Sequence, residues 1–159
     1  MAAADVGDRK VTPAPNTFTL ESRDRPVPAD ELWSAVLEVV RCYEAHGLDT
    51  VGPYPSADGL NVRYMVTNEP KTAAADRTCA TDLMPLARRF AVEPVPAEVA
   101  KMIGLRADVE ACLATDGITV PVAPRTDGVT AAEAADAAFQ GMAMAESDAV
   151  RTCAEQLTP

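Results

Sequence analysis

The sequence predicts a mainly α protein: two tandem disulfide-stapled helical hairpins packed as one domain, with a small β element beside them. Three observations predict it. One cysteine-bearing unit is written twice, each copy carries apolar residues at three- and four-residue spacing, and glycine and proline punctuate both copies at matching places. Around Cys42 the chain reads Cys-Tyr-Glu-Ala-His-Gly-Leu, passes through prolines to Asp58-Gly59-Leu60, and closes with Arg77-Thr78-Cys79-Ala80, Leu83 and Pro85. Around Cys112 it reads Cys-Leu-Ala-Thr-Asp-Gly-Ile, again passes through prolines to Asp127-Gly128-Val129, and closes with Arg151-Thr152-Cys153-Ala154, Leu157 and Pro159.

Taken in order, residues 1–15 carry alanine, charge and Pro13-Ala-Pro15 without periodicity, the composition of a flexible tail. Residues 16–159 form the single helical domain, built from repeats at about 29–90 and 95–159. Thr17-Phe18-Thr19-Leu20-Glu21 alternates like a short strand or an extended arm. The first helix should start near Asp30, whose carboxylate can accept from the amides of the opening turn. Its apolar stripe is Leu32, Trp33, Val36, Val39, Val40 and Tyr43, and Gly47 supplies a left-handed stop. The second copy opens at Pro96, runs through Val99, Met102, Ile103, Leu105 or Arg106, Val109, Cys112 and Leu113, and stops at Gly117. Gly104 should weaken that helix and suggests a bend or a close helix approach.

Proline then forbids helix in Gly52-Pro53-Tyr54-Pro55 and Pro121-Val122-Ala123-Pro124, which read as extended surface loops. Asp58-Gly59 and Asp127-Gly128 read as turns; neither carries the further oxygen ligands of a calcium loop. Asn61 to Thr67 alternates like a strand in the first copy only. Each copy ends in a helix, one from Thr72 to about Phe90, the other from Thr130 to Leu157, with Pro85 expected to kink or shorten the former.

All four cysteines fall into these units, so they read as structural disulfides in an oxidising compartment. Four cysteines allow three pairings. If each unit is a copied element, its own two cysteines pair: Cys42 with Cys79 and Cys112 with Cys153. Loops of that size stabilise by roughly 4 kcal/mol each in the chain-entropy model. The spacing lacks the close Cys-x2-Cys pairs of zinc sites and the Cys-x-x-Cys of catalytic dithiols, so no metal or cofactor is expected. His46, the one histidine, lies at a helix end, where an imidazole complements the helix dipole.

Composition narrows function by exclusion. With 14 basic against 24 acidic residues the net charge is -10, which repels a phosphate backbone and argues against nucleic acid as a partner. Apolar residues are 48% of the chain but aromatics only 4%, so the core must be thin and cross-links valuable. No apolar run is long enough to span a membrane. The first residues lack the apolar stretch of a secretion signal, so an exported chain would be a mature form. Glu31 with Glu38, and Glu133 with Asp136, read as solvated helix faces rather than an acid-base pair. Gln140-Gly-Met-Ala-Met-Ala145 reads as helix packing with adaptable filler rather than a soft-metal surface. There is no glycine-rich phosphate loop and no Gly-x-Ser-x-Gly elbow.

The double unit resembles a group of small exported or lipid-anchored proteins of Gram-positive, actinobacterial type. That group is marked by a helix ending in Cys-(Met)-(Arg)-x-x-Gly, a proline-rich loop, and a later helix ending in Ala-Cys-x-x-Leu-x-Pro. Cys42 to Pro85 and Cys112 to Pro159 each follow this plan; Tyr43-Glu44 and Leu113-Ala114 stand where Met-Arg is common, and a Phe-Pro-Asp-Pro element is missing. The resemblance implies an envelope-facing location and no particular reaction. The expectation is an extracytoplasmic, secreted or lipid-anchored, non-catalytic binding or accessory module of the cell envelope, whose partner is a protein or small-molecule ligand. The alternative is a small hydrolase-like enzyme drawing Asp and Glu side chains from separate segments.

Overall fold

The computed structural model describes residues 25–122 and 128–158. The expected tail over 1–15, the strand-like Thr17–Glu21, Pro124 and Asp127 lie outside them. Among the described residues the chain forms six helices and one two-stranded sheet: α1 (Ala29–Ala45), β1 (Thr50–Pro55), β2 (Val62–Val66), α2 (Thr72–Cys79), α3 (Leu83–Val92), α4 (Pro96–Thr115), α5 (Ala131–Ala145) and α6 (Ser147–Gln156). The protein is therefore mainly helical with a small sheet, held by two disulfides, Cys42–Cys79 and Cys112–Cys153.

The helix ends follow from their sequence. α1 begins at Ala29, so Asp30 stands inside the helix rather than capping it, and the first amide, Ala29 N, donates instead at 2.8 Å to Glu98 Oε1, a carboxylate supplied by α4. At its other end Leu48 N donates to Tyr43 O and Gly47 N to Glu44 O, closing a six-to-one and a five-to-two loop around a glycine at φ +79°. α4 ends identically: Ile118 N to Leu113 O, Gly117 N to Ala114 O, Gly117 at φ +77°. Each cysteine in the last turns of α1 and α4 thus stands five residues before its glycine stop. α4 is continuous across Gly104, which faces open space rather than a neighbouring helix.

Three local expectations are corrected. The segment from Gly52 to Pro55 is not a surface loop: it is most of β1, buried and covered by α1 and α6. Proline is tolerated because both strands of a two-stranded sheet are edges, and the register slips between Val51 and Tyr54, where the paired partners step from Met65 to Arg63. The helix expected from Thr72 to Phe90 is two helices. Pro85 stands in the first turn of α3, where its missing N–H has no helical acceptor to lose, whereas within one long helix it would break the ladder. The helix expected from Thr130 to Leu157 also divides, at Glu146 (φ -121°, ψ 41°), and the break turns the Val150, Cys153 and Ala154 face of α6 onto the core.

One apolar core joins elements from both halves of the chain. Leu32, Trp33, Val36 and Val40 of α1 meet Tyr54 of β1, Leu86 and Phe90 of α3, Met102, Val109 and Leu113 of α4, Phe139 of α5 and Val150 of α6. Tyr54 stacks on Phe139 with ring centroids 4.3 Å apart. A smaller cluster of Val39, Tyr43, Leu48 and Ala75 lies under the first disulfide. No described helix is long and apolar enough to cross a membrane.

Candidate functional site

A groove of about 260 Å³ lies between α1 and the α2–α3 turn. From α1 it takes Glu31, Ala35, Glu38, Val39 and Cys42, which fall at helical spacing on one face. Thr78, Cys79, Asp82, Leu83 and Leu86 form the opposite wall. Its floor is apolar and includes the Cys42–Cys79 bridge; Glu38 and Asp82 on the rim are exposed, and neither they nor Glu31 form an ion pair among the described residues. The expected carboxylate pair Glu31 and Glu38 therefore shares this rim.

His46 stands beside the same bridge. Its Nδ1 lies 2.9 Å from Cys42 O, satisfying an end carbonyl of α1, and 3.7 Å from Cys79 Sγ. Across the bridge Tyr43 donates from its hydroxyl to Asp76 Oδ1 at 2.5 Å, a bond that ties α1 to α2. Burial, reinforced by that bond, pushes the Tyr43 phenol well above its ordinary range. Lys71 Nζ reaches Gly47 O at 3.0 Å, a second polar tie over the same corner.

The other predicted cysteine pair lies in a different setting. Cys153 is buried in the core, and Cys112 Sγ approaches Gln156 Oε1 at 3.5 Å. No histidine stands there, since His46 is the only one in the chain. A second, wider cleft of about 660 Å³ opens between α4 and α5 behind residues 118–122. Its polar lining is Arg106, Glu110 and Thr119, and the Arg106 guanidinium is already engaged.

Sequence reasoning missed that engagement. Arg106 Nη1 donates at 2.8 Å to both Asp136 Oδ1 and Pro55 O, its guanidinium lies 4.8 Å from the centroid of the Phe139 ring, and Asp136 Oδ1 also accepts from Ala57 N at 2.9 Å. The pair Glu133 and Asp136, read as one solvated face, is thus divided. Glu133 closes a capping box with Thr130, while Asp136 is a buried counterion. The available signal was Arg106 itself: an arginine on the stripe Met102, Val109, Leu113 must bring a carboxylate with it. Met142 packs in the core, as filler does, while Met144 is exposed.

At the turn between β1 and β2, Asp58 Oδ1 accepts from Ser56 Oγ at 2.7 Å and from Leu60 N at 3.0 Å, so its carboxylate serves the turn. Comparison with protein-family models, curated proteins and solved structures finds no match to this chain. Geometry and chemistry alone carry the functional reading.

Proposed function

We propose that this protein is an extracytoplasmic, non-catalytic binding or accessory module of the cell envelope, secreted or lipid-anchored, that receives a cationic amphipathic segment of a protein partner in the α1/α2–α3 groove. One observation carries the reading: an apolar floor edged by Glu31, Glu38 and Asp82, carboxylates without a cationic partner among the described residues. Such a groove attracts a Lys- or Arg-bearing segment over distance and buries its apolar face on contact. The net charge of -10 works in the same direction. Two disulfides fit an oxidising compartment. The rival hydrolase-like reading needs a carboxylate free to work inside a cleft, whereas Asp136, the buried one, is held by Arg106 and Ala57 N.

The body of the chain is read as two copies of one stapled hairpin. The supporting features are the matched glycine stops after Cys42 and Cys112, the left-handed glycines at 59 and 128, and a bridge within each half. The β-hairpin of the first half and the division of α5 from α6 in the second are the departures from that plan.

The functional test uses a synthetic helical peptide with Lys on one face and Leu on the other, titrated calorimetrically. Binding should weaken at high salt, and by about tenfold or more in the Glu38→Lys/Asp82→Lys variant, since each reversal turns an attraction into a repulsion. Equal affinity for the variant and the native protein would sink the groove as the binding surface.

A further inference from the structure

We infer that Cys42, Cys79 and His46 form a redox-gated site for a zinc-class divalent cation, closed while the bridge is intact and opened by a dithiol reductant. Their candidate ligand atoms all lie within 4.8 Å of one another, and among the described residues this is the single group of three with that geometry. Two thiolates on one tetrahedral zinc, with Zn–S near 2.3 Å, stand about 3.8 Å apart, and a thiolate and an imidazole nitrogen about 3.6 Å apart. The Cys79 Sγ to His46 Nδ1 distance of 3.7 Å already has that value. The two sulfurs must separate, and the His46 ring must turn toward the point between them.

The surrounding structure keeps the ligands together once the bridge is cut. Tyr43 remains bonded to Asp76, Lys71 to Gly47 O, and the Val39, Tyr43, Leu48 and Ala75 cluster remains packed beneath. The reaction balances in two steps. A dithiol gives two electrons and two protons to the Cys42–Cys79 bond and becomes a disulfide itself; the cation then displaces the two thiol protons, and water from the open groove completes its shell. His46 must shift its ring proton from Nδ1, where it is donated to Cys42 O, to Nε2 and turn the bared Nδ1 to the metal; Cys42 O keeps the His46 backbone amide as its donor at 3.2 Å. The second bridge has no such use: among the described residues no histidine or carboxylate completes a like group with its two sulfurs, and Cys153 is buried.

The probe is Co²⁺ added to the full chain after reduction by a phosphine, which does not compete for the metal. Expected is one equivalent of tetrahedral, thiolate-ligated cobalt, seen as a charge-transfer band with intense d–d bands and displaced by Zn²⁺. Oxidised protein should give none. Second-shell losses already weaken metal sites by 10–100-fold, so His46→Gln, which removes a ligand, should weaken binding by at least about tenfold. Cys42→Ser/Cys79→Ser should abolish the signal. Circular dichroism follows the fold throughout, and if reduction loosens the protein, the metal should restore it. Reduced protein that neither binds Co²⁺ nor refolds with it, or a His46→Gln variant that binds as tightly as the native chain, would overturn the site.

Discussion

Asp136 illustrates how one buried atom can hold three segments. Its Oδ1 accepts from Arg106 of α4 and from Ala57 beyond β1, while the side chain itself belongs to α5. Asp136→Ala should cost up to about 3–5 kcal/mol in chemical denaturation, because it leaves a guanidinium that is only 8% exposed with the more exposed Glu110, 3.5 Å from its Nε, as its one remaining counterion among the described residues. A loss under 1 kcal/mol would mean that Arg106 finds another partner. Glu98 acts at the surface in a different way. The hydrogen bond from Ala29 N, aided by Lys101, holds its carboxyl below the usual carboxylate value of 4.5. A depressed folded pKa adds stability above the unfolded value and loses it as pH falls, since the unfolded chain then takes up the proton first. Acidification below about pH 4.5 should therefore destabilise the native protein more steeply than Glu98→Gln, as read from melting temperatures across that range.

At the scale of elements, two of the left-handed glycines, Gly59 and Gly117, separate two kinds of constraint. An alanine Cβ at Gly117 meets nothing within 4 Å, so Gly117→Ala should cost only the left-handed backbone penalty, about 1 kcal/mol. At Gly59 the same atom would stand 2.7 Å from Ile103 Cγ1 and 2.9 Å from Val99 O, so Gly59→Ala should be clearly worse. Parallel urea titrations decide the order. Helix stops of this kind were legible in the sequence, as were the α1 stripe, the strand near Asn61–Thr67 and the Thr130 cap. Pro85 announced an interruption of the Thr72–Phe90 run but not its place at Ala80–Asp82, and the break at Glu146 and the burial of Gly52–Pro55 were not legible. Local pattern can mark where a helix is allowed to end. It cannot say that tertiary packing will demand a new axis, as it does when α6 turns its Val150 face inward. The groove was hidden for the same reason: Glu31 and Glu38 are visible on one helix face, but Asp82 reaches them only through the tertiary fold.

Across the whole molecule, the disulfides bear most directly on stability, because a core with 4% aromatic residues has few large side chains to bury. Each bridge closes a loop of comparable span, 37 and 41 residues, so removal of either should cost up to about 4 kcal/mol. Cys153→Ala should lose more than Cys42→Ser, since Cys153 also fills the core. Denaturant midpoints of the two variants make the comparison. In unreduced, denatured protein a thiol reagent should find no reactive cysteine, and after reduction all four.

The covalent map and the packing map of this protein differ. Both sulfur links stay within their own stretch of chain, yet Leu32, Met102, Phe139 and Val150 share one interior. The exposed Val92–Glu93 junction is part of the backbone tie between those stretches. A protease cutting there would leave two fragments joined by no bond, each needing the other to hide its oily face, which makes the molecule a natural scaffold for split-protein complementation.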